Sequence, residues 1–285
     1  GEVLNGLASY GGQQTLDMTH GFTVSPAQLL GLEINPRAAA IADVVLWIGY
    51  LQWHFRTHGT ARRLDPPILR EYKNIRYQDA LVEVLDGDVR QAAWPKADFI
   101  VGNPPFIGAS TMREALGDDY TETLRRTYRG EVPDSADFVM YWWHKAAEYV
   151  RAGEVERFGF ITTNSLRQTF NRRVVAQHLE AKEPLSIAYA IPDHPWVDSA
   201  DGADVRIAMT VGTADDLPGL LAEVAKETRA DAERGVILGQ RQGKIRADLT
   251  TGANVAGTDA LKSNEGLSNR GFELGGAGFI VTKDH

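Results

Sequence analysis

Residues 98–106 of this 285-residue chain read Asp-Phe-Ile-Val-Gly-Asn-Pro-Pro-Phe, and this stretch is the strongest indicator of the architecture. Residues 99–101 form a short apolar run that predicts a buried strand. The Gly-Asn-Pro-Pro sequence that follows ends the strand abruptly, because proline has no N–H with which to continue a strand ladder. We therefore expect a strand whose carboxyl end carries a rigid loop, at the edge where open α/β sheets bind ligands.

Upstream of this loop, an apolar strand-like run leads into a helix. Residues 29–34 predict a strand, and Asn35 and Pro36 fit the cap and first turn of a helix that continues to about Phe55. Residues 75–77 predict a further short strand before the loop is reached.

Downstream, residues 107–133 are polar and irregular, as in an inserted loop or small helices. The elements predicted after them are a helix that Asp134 or Ser135 caps and Gly153 ends, a strand at 157–162, a helix at 164–181, and strands at 187–191 and 205–211. This alternation predicts an α/β fold with a mostly parallel sheet and helices on both faces.

The C-terminal part of the chain has a different composition. Residues 217–234 predict another amphipathic helix, and the residues after it are rich in Gly, Asn, Thr and Ser. The inward face of that helix would carry Leu217, Leu220, Leu221, Val224 and Ala225. We therefore predict a core domain over residues 1–213. Residues 214–285 would form a linker helix and the beginning of a target-recognition region.

Composition limits the location and the chemistry. No apolar run approaches the roughly 20 residues of a membrane span, and no signal peptide is visible, so we expect a cytoplasmic protein with no membrane partner. The chain has no cysteine, which excludes disulfides, thiolate metal sites and a cysteine nucleophile. Carbon-5 methylation of cytosine, which proceeds through a cysteine adduct, is excluded with them. No set of His, Asp and Glu has metal-ligand spacing, so no metal is predicted.

The net charge of −8 argues against a large, uniform nucleic-acid surface. Local basic clusters are equally well explained as phosphate contacts or as solvated faces. They are Arg125, Arg126 and Arg129, then Arg167, Arg172 and Arg173, then Arg241, Lys244 and Arg246.

The Asn-Pro-Pro-Phe sequence suits chemistry on an amine that is conjugated to a ring. Such an amine is a poor nucleophile, because its lone pair is delocalised, and two acceptors aimed at its N–H bonds return electron density to nitrogen. The acceptors would be the Asn103 side-chain oxygen and the Pro104 carbonyl, and Pro104 and Pro105 stiffen the loop that holds them. Phe106 offers a ring face to a base swung out of a helix. The alternative is a chance turn, since Asn-Pro favours turns.

Two carboxylates upstream suit a nucleotide-like cofactor. Glu33 ends a predicted strand, where an acid accepts hydrogen bonds from ribose hydroxyls in Rossmann-like sites, and Ile34 would lie beside it in the cofactor site. Asp79 follows the strand at 75–77 and would accept from an adenine amine, with Ala80 and Leu81 lining the ring. Asp86 and Asp88 are rivals of Asp79 for this role.

Together these residues resemble the successive motifs of N6-adenine DNA methyltransferases. The motifs are Glu33, Asp79, Asn103 to Phe106, a helix over 137–150, and the sequence Phe-Gly-Phe-Ile-Thr-Thr-Asn-Ser at 158–165. The similarity covers most of residues 29–212. The stretches at 46–53, 141–143 and 191–196 resemble more closely the type II restriction–modification enzymes that carry nuclease, methyltransferase and target recognition on one chain.

The resemblance implies a Rossmann-like class I fold, S-adenosyl-L-methionine as the cofactor, and double-stranded DNA with a flipped adenine as the partner. It also implies a second base-stacking aromatic, for which Trp196 is the candidate; packing under its loop is the alternative. Nuclease and target-recognition domains would belong to the same parent chain.

One departure from the family pattern concerns the glycine-rich cofactor loop. That loop should precede Glu33, and nothing in residues 1–33 supplies it, since Gly11-Gly12 has neither its spacing nor a preceding strand. A similar sequence at 272–278 would require a permuted order. We expect instead a fragment that lacks the first, central strand and its loop.

Three alternatives remain open at this stage. Asn-Pro-Pro-aromatic loops also occur in methyltransferases that act on guanine amines in RNA or on protein glutamine. A catalytically silent module that binds DNA is the third, because the glycine-rich loop is missing.

Overall fold

The computed structural model describes residues 25–58, 74–196, 205–230 and 233–252, together with Lys262. The chain divides into two compact units, Gly1–Thr251 and Gly252–His285, and every strand and helix below belongs to the first. The sequences at 1–24 and 272–278 that bear on the glycine-rich loop lie outside the described residues.

A two-stranded parallel sheet and a long helix form the first part of the fold. Strand β1 (Gly31–Glu33) pairs with β2 (Ile75–Tyr77), and helix α1 (Pro36–His58) follows β1. The Asn35 side-chain oxygen accepts hydrogen bonds from the backbone N–H groups of Arg37 and Ala38 at 2.9 and 3.2 Å, so Asn35 caps the helix as predicted. The helix extends three residues beyond Phe55, and β1 is shorter than the predicted strand.

A hairpin that the sequence analysis missed follows β2. It consists of strands β3 (Val82–Leu85) and β4 (Asp88–Gln91). Its turn is Asp86-Gly87, with φ of 54° and 88°. An Asp-Gly pair with positive φ at both residues is a strong hairpin signal. Asp86 and Asp88 therefore belong to this hairpin.

The remaining elements build a six-stranded sheet with its helices. In chain order they are β5 (Phe99–Gly102), α2 (Met112–Leu116), α3 (Asp118–Thr127), α4 (Val139–Arg151), β6 (Arg157–Thr163), α5 (Thr169–Leu179), β7 (Ser186–Pro195), β8 (Arg206–Thr213), β9 (Gly219–Ala230) and β10 (Glu233–Gly243). The strand order is β10-β9-β7-β8-β6-β5. Pairs β5–β6 and β7–β9 are parallel, and the other three are antiparallel. The α/β architecture agrees with the prediction, but the sheet is mixed rather than mostly parallel.

The prediction of a helix over 217–234 is wrong, because these residues form β9 and the start of β10. The apolar run at 220–225 fits a strand as well as a helix, and β7 offers an edge on which Leu220 and Leu221 pair with Tyr189 and Ala190. Glycine at position 219 allows β9 to lie this close to β7, because a Cβ there would be 2.1 Å from the Ile187 backbone oxygen. The segment after residue 213 is therefore not a linker helix, and its role in target recognition stays a prediction.

Two helix starts also differ from the predictions. Helix α4 begins at Val139 rather than near Asp134, because the residues before it turn toward the loop after β5. The predicted helix at 164–181 is a short 3-10 turn, Asn164–Arg167, followed by α5.

Helix α4 lies at the centre of the core. The Trp143 ring meets Phe158 of β6 edge-on, with centroids 5.3 Å apart, and its indole N–H donates to the Thr210 hydroxyl of β8 at 3.1 Å. These contacts seat α4 on β6 and β8 of the six-stranded sheet.

Among the described residues, strand β5 forms an open edge of the six-stranded sheet. Val101 of β5 is 87% exposed, and Phe99 is also exposed. Within the ranges that the structure describes, no strand joins β5 to the β1–β2 pair. Every helix in the described part of the chain is either too short or too polar for a membrane span.

Candidate active site

The loop after β5 presents the Asn103 side chain to solvent. A Cβ on Gly102 would lie 3.0 Å from the Phe160 ring, so glycine lets the end of β5 approach β6 closely. Pro104 is buried beneath the loop, whereas Asn103 is exposed and Phe106 is partly so. No hydrogen bond to the Asn103 side chain occurs within the described part of the chain. Asn103 therefore faces outward, as an acceptor for a ligand must.

Asp137 holds this loop to the rest of the fold. Its Oδ1 accepts from the Ala109 backbone N–H at 3.1 Å, and its Oδ2 accepts from Ser165 Oγ at 2.6 Å and Asn171 Nδ2 at 2.7 Å. The Asp137 N–H donates in turn to Asn171 Oδ1 at 2.8 Å. The Phe138 N–H donates to the Ile107 oxygen at 2.9 Å. We call Asp137, Ser165 and Asn171 the clamp, because they join the loop, α4, α5 and the end of β6.

The carboxyl ends of β5, β6 and β7 lie at one sheet edge, since β8 runs antiparallel to both β6 and β7. Ile207 of β8 pairs with Thr163 on one side and with His194 on the other. Asp193 Oδ1 accepts from Arg206 Nε at 2.6 Å and from Asn164 Nδ2 at 3.2 Å. The loop with Phe106 and the end of β7 with Trp196 thus share this edge, although two strands separate them.

Trp196 is partly exposed, and its backbone N–H donates to the Val205 oxygen at 2.9 Å. Its ring is therefore accessible rather than fully packed. The role of Trp196 against a flipped base stays a prediction.

Glu33 and Ile34 lie at the carboxyl end of β1. Glu33 Oε1 accepts from the Asn35 backbone N–H at 2.8 Å, which fixes the carboxylate at the start of α1. The Gln78 N–H donates to the Glu33 backbone oxygen at 3.0 Å. Glu33 pairs with Tyr77, so Asp79 follows at the same edge of the two-stranded sheet. The two predicted cofactor carboxylates are thus brought to one edge, and Ile34 is exposed beside them.

Asp79 is more engaged with the protein than the sequence indicates. Its Oδ1 accepts from the backbone N–H groups of Leu81 at 2.7 Å and Val82 at 3.2 Å. Burial, and then the Asp79 carboxylate that its hydroxyl contacts, raise the pKa of Tyr120. The Ala80 oxygen accepts from the Trp94 indole at 2.6 Å. Asp79 is thus fixed in orientation.

The Leu81 side chain is fully buried in the core. The expectation that Leu81 lines a cofactor ring is therefore wrong. Its backbone oxygen accepts from the Tyr128 hydroxyl at 2.9 Å, which ties the segment after β2 to the residues that follow α3.

The basic clusters are partly committed to protein contacts. Arg125 Nη2 donates to the Asp134 oxygen at 2.9 Å, and Arg167 Nε donates to the Asp248 oxygen at 3.1 Å. Arg241 pairs with Glu223 at 3.0 Å. At least one member of each cluster thus has a structural partner.

The comparisons with known proteins agree on one family. A family model described as the MmeI DNA-methyltransferase domain matches residues 10–218. DNA methyltransferase A of Bacillus subtilis (strain 168) is 23% identical over 192 residues, which are 67% of this chain and 21% of that protein. A solved structure of the type IIL restriction–modification enzyme MmeI in complex with DNA matches with a TM-score of 0.62 and 25% identity, over 89% of this chain and 32% of that one.

The structural match confirms the predicted Rossmann-like methyltransferase core, and the family model confirms the predicted resemblance to restriction–modification methyltransferases. This chain spans about a fifth of the length of the curated relative and about a third of the solved structure.

Proposed function

Because this chain belongs to the MmeI DNA-methyltransferase family, we propose that it carries the site for S-adenosylmethionine-dependent methylation of the adenine N6 amine in double-stranded DNA. The observation that supports this most is the exposed Asn103 on a loop that the partly buried clamp holds in place. A chance turn has no need of such support.

The loop would act by polarising the target amine. The Asn103 side-chain oxygen and the Pro104 backbone oxygen each accept one N–H bond of the amine, which moves electron density toward nitrogen. The Ala109–Asp137 and Ile107–Phe138 hydrogen bonds fix the loop beforehand, so the acceptors do not reorganise during the reaction. Phe106 stacks on the extruded base, with Trp196 as a second stacking candidate. The excess proton of the methylated amine leaves to solvent.

The residues at the β1–β2 edge fit a nucleoside cofactor. Glu33 has one carboxylate oxygen committed to Asn35 and a second that would accept from the ribose hydroxyls. Asp79 would accept from the adenine amine, beside the exposed Ile34 and the partly exposed Ala80. S-adenosylmethionine supplies an electrophilic methyl group on a sulfonium.

We propose further that the protein acts within a restriction–modification or related defence system. The MmeI structure contains DNA, and that chain is about three times as long as the region matched here. Nuclease and target-recognition domains on the same parent chain follow from this proposal, with double-stranded DNA as the partner.

A methyl-transfer assay tests the proposal in the natural protein that contains residues 1–285. The protein would be incubated with methyl-labelled S-adenosylmethionine and with duplex DNA, structured RNA or release-factor protein in separate reactions. We expect label in DNA alone, recovered as N6-methyladenine after hydrolysis to nucleosides. Recovery as N4-methylcytosine, or label in RNA or protein glutamine, would overturn the assignment. DNA binding without transfer would favour the silent module.

A further inference from the structure

A second cluster of polar side chains lies on α4, away from the clamp. His144 has a side chain only 1% exposed, and its Nε2 lies 3.3 Å from Glu131 Oε2 and 3.4 Å from Glu148 Oε2. Nε2 nevertheless makes no hydrogen bond to any residue that the structure describes. A buried imidazole nitrogen aimed between two carboxylates, without a directed hydrogen bond, calls for a different partner.

We propose that Glu131, His144 and Glu148 bind a divalent cation of the zinc type. The three ligand atoms all lie within 4.8 Å of one another. Two ligands held about 2.0–2.1 Å from a tetrahedral zinc ion are about 3.3–3.4 Å apart, which matches both distances from Nε2. One imidazole and two carboxylates suit Zn²⁺, and water would complete the coordination.

The surroundings orient these ligands as the outer partners of metal sites do. Gln91 Nε2 donates to Glu131 Oε2 at 2.6 Å, and His144 Nδ1 lies 2.9 Å from Nε2 of the buried His178. A hydrogen bond at the second nitrogen of a ligating histidine is a regular feature of such sites. The side chains of Glu131 and Glu148 are 39% and 43% exposed, so a cation has a path from solvent.

Two cationic side chains, Lys145 and Arg151, lie near the proposed site and affect how it would bind a metal ion. Lys145 is the residue after His144, but its ammonium lies over the rings of Trp94 and Tyr149, 5.5 and 5.4 Å from their centroids. It is thus held by aromatic faces on another side of α4. Its charge partly offsets the two carboxylates, which leaves the cluster suited to a divalent ion.

Arg151 determines which ring nitrogens of His178 and His144 carry a proton. Its Nη1 lies 3.3 Å from His178 Nδ1, and a guanidinium only donates, so the His178 proton is on Nε2 and is donated to His144 Nδ1. His144 then carries its own proton on Nε2. A cation there requires both histidines to move their protons to Nδ1, with no net release. Arg151 must therefore withdraw from His178 when the cation binds.

The site would be structural rather than catalytic. It joins the segment after α3, which carries Glu131, to the middle of α4. His144 is seven residues from Asp137, which precedes the helix. The sequence alone predicts no metal, because only His144 and Glu148 share helical spacing and Glu131 precedes them in an irregular segment. The proposal does not depend on the function of the methyl-transfer site.

Zinc binding to the metal-free chain tests this directly. Equilibrium dialysis against ZnCl₂, with elemental analysis of the protein, should give one equivalent of saturable Zn²⁺. Zn²⁺ should also raise the Tm, because a ligand that binds only the folded state stabilises it. E148Q should lower the affinity at least about tenfold, and E154Q, an exposed substitution with the same charge change, should not.

Arg151→Gln provides a second test that does not remove a ligand. Glutamine accepts from His178 Nδ1, so R151Q should bind Zn²⁺ about tenfold more tightly than the unmodified chain. The proposal is overturned if the chain binds no stoichiometric Zn²⁺, or if E148Q binds as the unmodified chain does. Unchanged or weaker Zn²⁺ binding by R151Q would overturn the inferred movement of the two histidine protons to Nδ1.

Discussion

The two parts of the candidate active site are built in different ways. The amine-binding part, the loop after β5, rests on a buried helix and on a carboxylate that accepts three hydrogen bonds. The cofactor part, formed by β1, α1 and β2, has two short strands and local bonds around Asn35 and Gln78. Several apolar residues of α1 remain exposed, among them Ile41, Val44 and Val45. Among the described residues, the acceptor loop is therefore held by contacts with several other elements, whereas the cofactor edge is held by bonds between neighbouring residues. Substitutions in the two parts should have separable effects.

Asn103→Ala should give the largest effect. Loss of one acceptor from the loop should lower kcat for methyl transfer about 10²–10³-fold while S-adenosylmethionine affinity persists, because the two functions lie on different sheets. Single-turnover kinetics and calorimetry in the natural protein measure the two quantities. Asn103→Asp keeps an acceptor oxygen and should retain more turnover than alanine. Turnover retained by N103A would count against the assigned role.

Asp137→Asn should have the next largest effect, through the position of the loop. An amide NH₂ cannot accept from Ala109, Ser165 and Asn171 together, so the loop should shift, and a shift of about 1 Å costs about 10²-fold in rate. Stability should fall by about 1 kcal/mol, because partly buried donors lose their acceptor.

The measurements for D137N are kcat, KM and the free energy of unfolding. D119N, an exposed substitution of the same kind on α3, is the matched control and should change none of them. A normal kcat in D137N would show that the clamp does not position Asn103.

Glu33→Gln should affect the cofactor part alone. The amide oxygen can still accept from the Asn35 N–H, but the charge that favours ribose hydroxyls is lost, so S-adenosylmethionine should bind about tenfold more weakly. The Tm should stay within the small range of surface substitutions. Calorimetry compares E33Q with E114Q, an exposed glutamate of α2. Equal affinities would remove Glu33 from the cofactor site.

The smallest effect concerns the core under the amine-binding part. Burial raises the pKa of Tyr141 to about 12, with Arg125 opposing the rise. Above pH 10 the unfolded tyrosine loses its proton before the folded one, so stability should fall as pH rises from 10 toward 12. The loss from this residue is about 1 kcal/mol at pH 11. Denaturant unfolding at pH 9 and pH 11 should show a smaller loss of stability in Y141F than in the unmodified chain. An identical loss in the two proteins would contradict this prediction.

Local signals in the sequence predicted several of these features. The Asn-Pro-Pro turn placed the loop at the end of β5, and Asn35-Pro36 placed the start of α1. The β3–β4 hairpin was also predictable from Asp86-Gly87. β9 was not, because its apolar run has no single period and pairing with β7 decides its conformation. Asp137 was missed because its partners Ala109 and Asn171 are 28 and 34 residues away in the chain.

The open edge of β5 has a practical consequence for handling the protein. Its outer backbone groups lie between two exposed apolar side chains, Phe99 and Val101. An uncovered strand edge of this kind is a template for pairing with a strand of another molecule, which leads to aggregation of sheet proteins. The strand that would adhere here ends at the acceptor loop. Concentrated solutions of the isolated chain should therefore self-associate, and aggregation would obstruct the same surface that must admit a base.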